Sequence, residues 1–138
     1  MSGIELNWSA GYVGTVYSDK DNGAAGCHCW GLLRLVFRQE KGIELPDFET
    51  VSPDDVDEIA ALIHGAVDLG LWRRVDRPQA FDGALFRRGR HDSHVGVMID
   101  RRHMLHSDRE AGAAIVERID AGRWASSFVG FYRHKDLI

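Results

Sequence analysis

Cys29 is the residue best placed in this sequence to act as a nucleophile. It stands where a glycine-rich stretch, TVYSDKDNGAAG, gives way to the pattern of a helix. Backbone N–H groups at a helix start have no partner within the helix, and the helix dipole adds partial positive charge there, so both stabilise a thiolate. A cysteine in this position can attack a carbonyl carbon, provided that a base takes its proton.

Two histidines supply a base and a group that orients it. His94 begins one predicted strand and His106 ends the next, with a turn at residues 100–102 between them. If the two strands form an antiparallel hairpin, the end of the second lies beside the start of the first. The His106 ring can then hydrogen bond to the His94 ring and orient it. This spacing is compatible with a Cys29-His94-His106 relay for acyl transfer.

Each of these residues also has a structural interpretation. A cysteine near a helix start often only packs, and a histidine in a strand is often structural or at the surface. A zinc site is a further alternative, with candidate ligands Cys27, His28, Cys29, His94, His103 and His106. Paired zinc ligands are usually separated by about two to four residues, whereas one residue separates the two cysteines. This spacing counts against a metal site.

The elements that position these residues begin with two helices. After Cys29, large apolar residues recur at three- and four-residue spacing, which predicts a helix with one buried face that ends near Gly42. Residues 52–55, Ser-Pro-Asp-Asp, have the N-cap, proline and acids that begin a helix. A second helix is predicted there, with apolar positions from Val56 to Val67 and a stop at Gly70.

Strands are predicted from Ala84 onward. The segments ALFRR, HVGVMI, HMLHS, AIVERI and SFVGFYRH are short, rich in β-branched and aromatic residues, and separated by Gly, Asp and Arg. Helices followed by a run of strands predict an α+β domain, with N-terminal helices packed on a central antiparallel β-sheet. The sequence has no internal repeat or linker, and a chain of 138 residues fits a single domain over residues 1–138.

Composition excludes several classes of protein. The hydrophobic fraction of 44% and charged fraction of 28% are ordinary for a folded domain. A formal net charge of −4 without a long run of Lys or Arg argues against a nucleic-acid partner. We expect no signal peptide and no membrane span. Two cysteines with one residue between them disfavour a mutual disulfide and indicate synthesis in a reducing cytoplasm.

The remaining histidines are expected at the surface: His64, His91 and His134.

Two longer segments carry a family resemblance. GTVYSDKDNGAAGCHCWGLLRLVF contains a tyrosine, a loop, and a helix that opens with a Cys-Trp-Gly-Leu run, and SHVGVMIDRRHMLHS contains a histidine hairpin. Their order and spacing resemble the NlpC family of papain-like cell-wall cysteine peptidases, especially its phage-tail branch. PQAFDGALFRRG and VGFYRH extend the likeness over nearly the whole chain. The resemblance implies a papain-like NlpC fold.

The resemblance also implies a role for each candidate residue. Cys29 would be the nucleophile, His94 the general base and later the general acid, and His106 the residue that orients His94. Tyr17 matches the family's tyrosine, whose hydroxyl lies near the oxyanion position, so it would help the Cys29 backbone N–H to stabilise the tetrahedral intermediate. Asp82 is expected to be structural. No metal or organic cofactor is required.

His28 departs from the family pattern, which usually has Asp immediately before the nucleophile. A protonated imidazole would favour the thiolate further, whereas a neutral one would leave unpaired whatever an Asp would have accepted. The sequence leaves open whether His28 alters or abolishes activity, and a catalytically inactive structural subunit with the same fold is the alternative to an enzyme. Cys27 has no family role and is expected to be a small buried side chain or a bystander thiol.

The function implied by the resemblance is hydrolysis of an amide bond in the peptidoglycan stem peptide, between D-glutamate and a diamino acid. The phage-tail likeness further implies a component of a tail tip, or of a related particle that delivers DNA, such as a gene transfer agent. Such a component would dock on other tail proteins and open the cell wall during entry. It would be made in the cytoplasm without a signal peptide and act in the periplasm or cell wall.

Overall fold

The computed structural model describes residues 7–18, 23–45, 64–65, 70–88 and 91–137, and of Arg88 and residues 91–93 it describes the backbone alone. Helix α1 (Cys29–Val36) continues as a π-helical turn (Phe37–Lys41), and a short helix α2 (Gly122–Ser127) precedes the last strand. The strands are β1 (Trp72–Val75), β2 (Gly83–Arg88), β3 (His91–Met98), β4 (His103–Asp108), β5 (Ala113–Arg118) and β6 (Phe128–His134). Short 3-10 turns lie at Trp8–Gly11, Gly23–Ala25 and Lys135–Leu137.

The six strands form one antiparallel sheet in the order β1-β6-β2-β3-β4-β5. The β3-β4 hairpin turns at Asp100, whose carboxylate accepts the backbone N–H groups of Arg102 at 2.8 Å and His103 at 2.9 Å. Residues 14–17 hydrogen bond to Gly112 and Ala114, at the start of β5. The predicted antiparallel sheet and the α+β class are therefore confirmed.

Helix α1 buries one face against this sheet, as its apolar spacing predicts. Leu32, Leu33 and Val36 are each at most 1% exposed and belong to a cluster that includes residues of β3 and β4. The helical turn ends at Gly42, whose φ of 67° lies in the left-handed region that glycine adopts without a Cβ penalty. The predicted helix and its end are therefore confirmed.

Alternating residues of β3 and β4 divide the core into two layers. Val97 and Leu105 pack with α1, whereas Met98 and Met104 pack on the other side with Trp124 of α2. This alternation follows from the two-residue period of a strand. The central strands are therefore covered on both faces, and the catalytic candidates are held by buried elements.

Strand β1, which the sequence pattern did not predict, changes the environment of His134. His134 pairs with Trp72 across β1 and β6, and the two rings meet edge to face at 5.1 Å. Phe37 contacts the same imidazole at 5.8 Å, and His134 is only 5% exposed. The expectation of a surface histidine is therefore wrong, because β1 covers it. This burial lowers the pKa of His134.

A partly buried ion pair joins the start of β2 to β6. Asp82 is fully buried, and its two carboxylate oxygens each lie 2.8 Å from the guanidinium of Arg133. The same carboxylate accepts the backbone N–H of Gln79 at 2.8 Å. These contacts fit the structural role expected for Asp82.

The helix predicted from residue 52 lies outside the described residues, apart from His64 and Gly65, which are helical. His64 is exposed, as expected, and the side chain of His91 lies outside the described part. Among the described residues, no helix combines the length and apolar character that crossing a bilayer requires.

Candidate active site

Cys29 and Cys27 differ in their access to solvent. Cys29 is the first residue of α1 and is partly exposed, whereas Cys27 is fully buried; both are free thiols. The burial of Cys27 agrees with the expectation of a small buried side chain. Of the two, Cys29 has the helix-start position and the access that a nucleophile needs.

His28 is the N-cap of α1. Its Nδ1 accepts the backbone N–H of Gly31 at 3.2 Å, and its own backbone is extended. A nitrogen that accepts a hydrogen bond must carry a lone pair, so this cap requires a neutral imidazole with its proton on Nε2. The histidine therefore satisfies the helix start much as an Asp would.

A side-chain hydrogen bond fastens the loop before Cys29 to the sheet. The Ser107 hydroxyl donates to the backbone carbonyl of Cys27 at 2.8 Å. Ser107 follows His106 on β4, and Cys27 lies two residues before Cys29. The loop that leads to the thiol is thus held beside the strand that carries the second histidine.

Tyr17 lies against the same loop. Its backbone pairs with that of Cys27, and its N–H donates to the Gly112 carbonyl at 2.8 Å. The half-buried ring lies 6.0 Å from the guanidinium carbon of Arg109. These contacts bring Tyr17 to the nucleophile loop, while the oxyanion role of its hydroxyl stays a prediction.

The expected contact between the two histidines is present. His94 Nε2 and His106 Nδ1 lie 2.9 Å apart, with the rings perpendicular at 90°. Both are buried, with 2% and 0% exposure. Among the described residues, hydrogen-bonded pairing of β3 with β4 ends at the pair Val97–Leu105. The two rings therefore meet where the strands separate, a position called the β3-β4 fork below.

Glu117 of β5 is a site residue that the sequence prediction missed. Its Oε1 lies 2.9 Å from His106 Nε2, on the far side of the ring from His94. Burial lowers the pKa of His106, although the carboxylates of Glu117 and Asp108 oppose that effect. The imidazole of His106 is therefore neutral near pH 7, with one nitrogen available to donate and one to accept.

Trp124 and Arg123 of α2 complete the surroundings of the base. The Trp124 indole stacks on His94 at 5.0 Å and 19°, and meets His106 edge to face at 4.9 Å. The Arg123 guanidinium lies 4.4 Å from the Trp124 ring centre and 3.7 Å from Glu117 Oε1. Together with the two histidines and Glu117 they form a closed ring of contacts. We call these five side chains the base cluster: His94, His106, Glu117, Arg123 and Trp124.

A cleft of about 490 Å³ opens beside the base cluster. Its lining residues are Arg87, His94, Asp108, Arg109, Glu110, Arg123, Trp124, Ser126 and Ser127. Three arginines and two acids give this lining a positive balance. His94 and Arg109 both line the cleft, and the Arg109 guanidinium carbon lies 6.0 Å from the Tyr17 ring.

The zinc alternative gains no support from the site geometry. The part of the chain described here contains no group of three His, Cys, Asp or Glu side chains arranged to hold a metal ion. His94 and His106 direct a nitrogen at each other, and His103 Nδ1 lies 3.0 Å from the Asp100 carboxylate.

Comparisons with known proteins agree with the family resemblance. The model of the NlpC/P60 family matches residues 14–133. No curated protein sequence matches the chain.

Several solved structures share the fold. A Staphylococcus aureus protein described as similar to a lipoprotein of the NLP/P60 family has 16% identity over 96% of this chain, with a TM-score of 0.66. This chain spans 40% of that protein's length. The NlpC/p60 domain of the peptidoglycan hydrolase SagA has 18% identity, covering 90% of each chain, with a TM-score of 0.59. The P60 domain of an antigen from M. avium subspecies paratuberculosis has 18% identity over 94% of this chain and 90% of its own, with a TM-score of 0.58. The papain-like NlpC fold is therefore confirmed.

Proposed function

The chain belongs to the NlpC/P60 family of cysteine peptidases and peptidoglycan hydrolases, and from this premise we propose that Cys29 cleaves an amide bond of the peptidoglycan stem peptide. The observation that carries the proposal is the 2.9 Å contact between His94 Nε2 and His106 Nδ1. It engages Nε2 of the His94 ring, and in the proposed site Nδ1 is the atom that takes the thiol proton. A base oriented in this way is what a cysteine nucleophile requires.

The β3-β4 fork supports the pairing of Cys29 with His94. Helix α1 packs on the sheet with Cys29 at its start, and the Ser107–Cys27 hydrogen bond holds the preceding loop against β4. His94 lies on the other strand of the fork. In the proposed site, the thiol approaches His94 through the opening between the two strands.

The proposed reaction is acyl transfer in two stages. His94 Nδ1 takes the proton of Cys29, and the thiolate attacks the amide carbonyl carbon to form a tetrahedral intermediate. The Cys29 backbone N–H and the Tyr17 hydroxyl donate to its oxyanion. The C–N bond then breaks as His94 protonates the leaving amine, which leaves a thioester. His94 removes a proton from water, the hydroxide attacks the thioester, and the carboxylic product leaves as Cys29 regains its proton.

The charge of the cleft supports a substrate that carries carboxylates. Arg87, Arg109 and Arg123 line it, against the two acids Asp108 and Glu110. A guanidinium presents a planar fork of donors that matches a carboxylate. Glutamate has two carboxyl groups, so one remains free when the other forms the amide with the diamino acid, and we propose that this bond is the one cleaved.

Mass spectrometry of stem-peptide fragments tests this function. Purified peptidoglycan fragments are incubated with the protein and with Cys29→Ala. We expect new fragments from the unmutated chain alone, and their masses identify the bond. Intact fragments in both samples, with folded protein, would support the inactive structural subunit instead.

Thiol reactivity tests the same alternative without a substrate. If the chain is an enzyme, Cys29 should react with iodoacetamide at about pH 6 faster than glutathione does. A thiol beside a general base is ionised below the ordinary thiol pKa of about 8.5. A structural subunit predicts that Cys29 reacts no faster than glutathione. Peptide mass spectrometry identifies the modified residue and should leave the buried Cys27 unmodified.

The likeness of the Cys-Trp-Gly-Leu segment to phage-tail members supports a finer proposal. The chain would act as a component of a phage tail tip or a related DNA-delivery particle, docked on other tail proteins, and would open the wall from the periplasm or cell wall. Proteomics of purified particles should find the chain with tail proteins. Its absence from every particle fraction, in cells where it is expressed, would contradict this placement.

A further inference from the structure

We propose that Glu117 is a positioning residue that sets the tautomers of both histidines and thereby decides which nitrogen of His94 faces the thiol. The proposal rests on the proposed pairing of Cys29 with His94. It extends that site by a residue outside the Cys-His-His set.

The first step concerns the proton of His106. An ionised carboxylate can only accept hydrogen bonds, and Glu117 Oε1 lies 2.9 Å from His106 Nε2. The proton of the neutral His106 ring is therefore on Nε2, and Nδ1 carries a lone pair. Since that Nδ1 lies 2.9 Å from His94 Nε2, His94 donates through Nε2–H. The lone pair of His94 is then on Nδ1, the atom that accepts the thiol proton.

The second step concerns the reverse arrangement. Without Glu117, His106 could carry its proton on Nδ1 and donate to His94 Nε2 across the same 2.9 Å contact. His94 would then hold its own proton on Nδ1, and that nitrogen could not accept one from Cys29. Both arrangements make one hydrogen bond between the rings, so the carboxylate is what selects the productive one.

The strand register explains how Glu117 reaches His106. His106 pairs with Ile115, and Glu117 lies two residues further along β5 on the same face. Such diagonal neighbours lie within reach of a long side chain. The carboxylate is therefore positioned by the β4-β5 ladder and not by a loop.

The charged groups around His106 come from three elements. They are Glu117 from β5, Asp108 from β4 and Arg123 from α2. Arg123 lies 3.3 Å from Asp108 and 3.7 Å from Glu117, so one guanidinium serves both carboxylates. Of these three charged groups, Glu117 is the one that hydrogen bonds directly to the fully buried His106 side chain.

The experiment compares Glu117→Met, Glu117→Gln and the control Asp120→Asn. Met removes the acceptor at similar length, Gln retains an acceptor oxygen, and Asp120 is an exposed carboxylate just beyond β5 that pairs with Arg118. The rate of Cys29 alkylation by iodoacetamide is measured between about pH 5 and pH 9. We expect Glu117→Met to slow alkylation near pH 7 by about 10- to 100-fold and to shift its profile to higher pH. Glu117→Gln should lie between Glu117→Met and the unmutated protein, and Asp120→Asn should match the unmutated protein.

Nitrogen-15 NMR of labelled histidine gives a direct second measurement. The unmutated protein should show His106 and His94 both protonated on Nε2, and Glu117→Met should show a mixture of tautomers. A His106 proton on Nδ1 in the unmutated protein would overturn the proposal, as would an unchanged alkylation profile in Glu117→Met. A thermal melt verifies that each variant is folded.

These measurements test the role of Glu117 independently of the proposed substrate, because neither of them uses peptidoglycan. If the protein leaves peptidoglycan intact but shows the expected tautomers and the shifted alkylation profile, the proposed role of Glu117 is supported and only the proposed substrate is contradicted. If the protein cleaves peptidoglycan but Glu117→Met leaves the alkylation profile unchanged, the proposed function is supported and the proposed role of Glu117 is contradicted.

Discussion

His28 links helix stability to the charge beside the nucleophile, at the scale of single residues. Its Nδ1 accepts the Gly31 N–H, so the imidazole that caps α1 is neutral. A protonated ring would place positive charge near Cys29 but would lose the cap. Of the two states considered for this position, the capped structure favours the neutral one.

The substitutions His28→Asp and His28→Ala separate these two effects. His28→Ala should lower the free energy of unfolding by about 1 kcal/mol, because the helix start loses its acceptor. His28→Asp should retain the cap and add a favourable charge at the helix start. The same negative charge should raise the pKa of the Cys29 thiol and slow its alkylation at neutral pH.

Urea denaturation and alkylation rates measure the two quantities. His64→Ala, a change at an exposed histidine, is the control and should leave both unchanged. A His28→Ala variant as stable as the unmutated protein would show that the Gly31 hydrogen bond contributes nothing to stability.

The residues of the base cluster differ in how far the sequence could predict them. His94 and His106 were predictable because a hairpin brings two strand ends together whatever its exact register. Glu117 was not predictable. In the alternating segment AIVERI its position is the same as that of an ordinary solvent-facing glutamate, and its contact with His106 depends on the β4-β5 register. Trp124 belongs to a six-residue helix, GRWASS, which is too short to show a helical period.

At the scale of elements, the β3-β4 hairpin depends on close packing at Gly96. A Cβ at this position would lie 2.5 Å from Met104 Sδ and 3.3 Å from Met104 Cβ. Met104 is fully buried, so its side chain has little space into which it can move. The same hairpin carries His94 and His106.

Gly96→Ala should therefore destabilise the protein by about 1–3 kcal/mol through overpacking. It should also reduce activity, because a displaced Met104 disturbs the strand that carries His106. Thermal or urea unfolding measures the loss, with Gly11→Ala as the control, since a Cβ there meets nothing within 4 Å. Adding Met104→Ala should give a total loss smaller than the sum of the two single losses. Simple additivity would contradict the packing argument.

Strand β1 shows which elements the sequence pattern could not predict. In WRRV, Trp72 is buried whereas Arg73 and Arg74 are both exposed, so the alternation that marks a half-buried strand is absent. Strands β2 to β6 alternate or carry dense apolar runs and were predicted. Because β1 was missed, so was the burial of His134, which depends on Trp72.

At the scale of the whole molecule, two buried histidines link folding to pH. Burial lowers the pKa of His106 and of His134 below the ordinary value of 6.5. The unfolded chain therefore takes up protons at a higher pH than the folded chain does. Their contribution to stability is complete above about pH 6.5 and decreases as the pH falls below that value.

Urea denaturation between about pH 7.5 and pH 5.5 should show this decrease, and His134→Phe should make it less steep. A phenylalanine can occupy the space beside Phe37 and Trp72 without a titrating group. His64→Gln is the control, because this histidine is exposed. An equal slope in His134→Phe and the unmutated protein would rule out His134 as a source of the pH dependence.

The hydrogen bonds along β5 have a consequence for self-association. This strand is an edge of the described sheet, and an uncovered edge is a template for pairing with other chains. Gly14 N–H donates to the Ala114 carbonyl at 2.9 Å and Tyr17 N–H to the Gly112 carbonyl at 2.8 Å, so the segment that leads to Cys29 shields the start of this edge. Any opening that releases the nucleophile loop also uncovers an aggregation-prone strand. We therefore expect inactivation by heat and the onset of aggregation to begin with the same event.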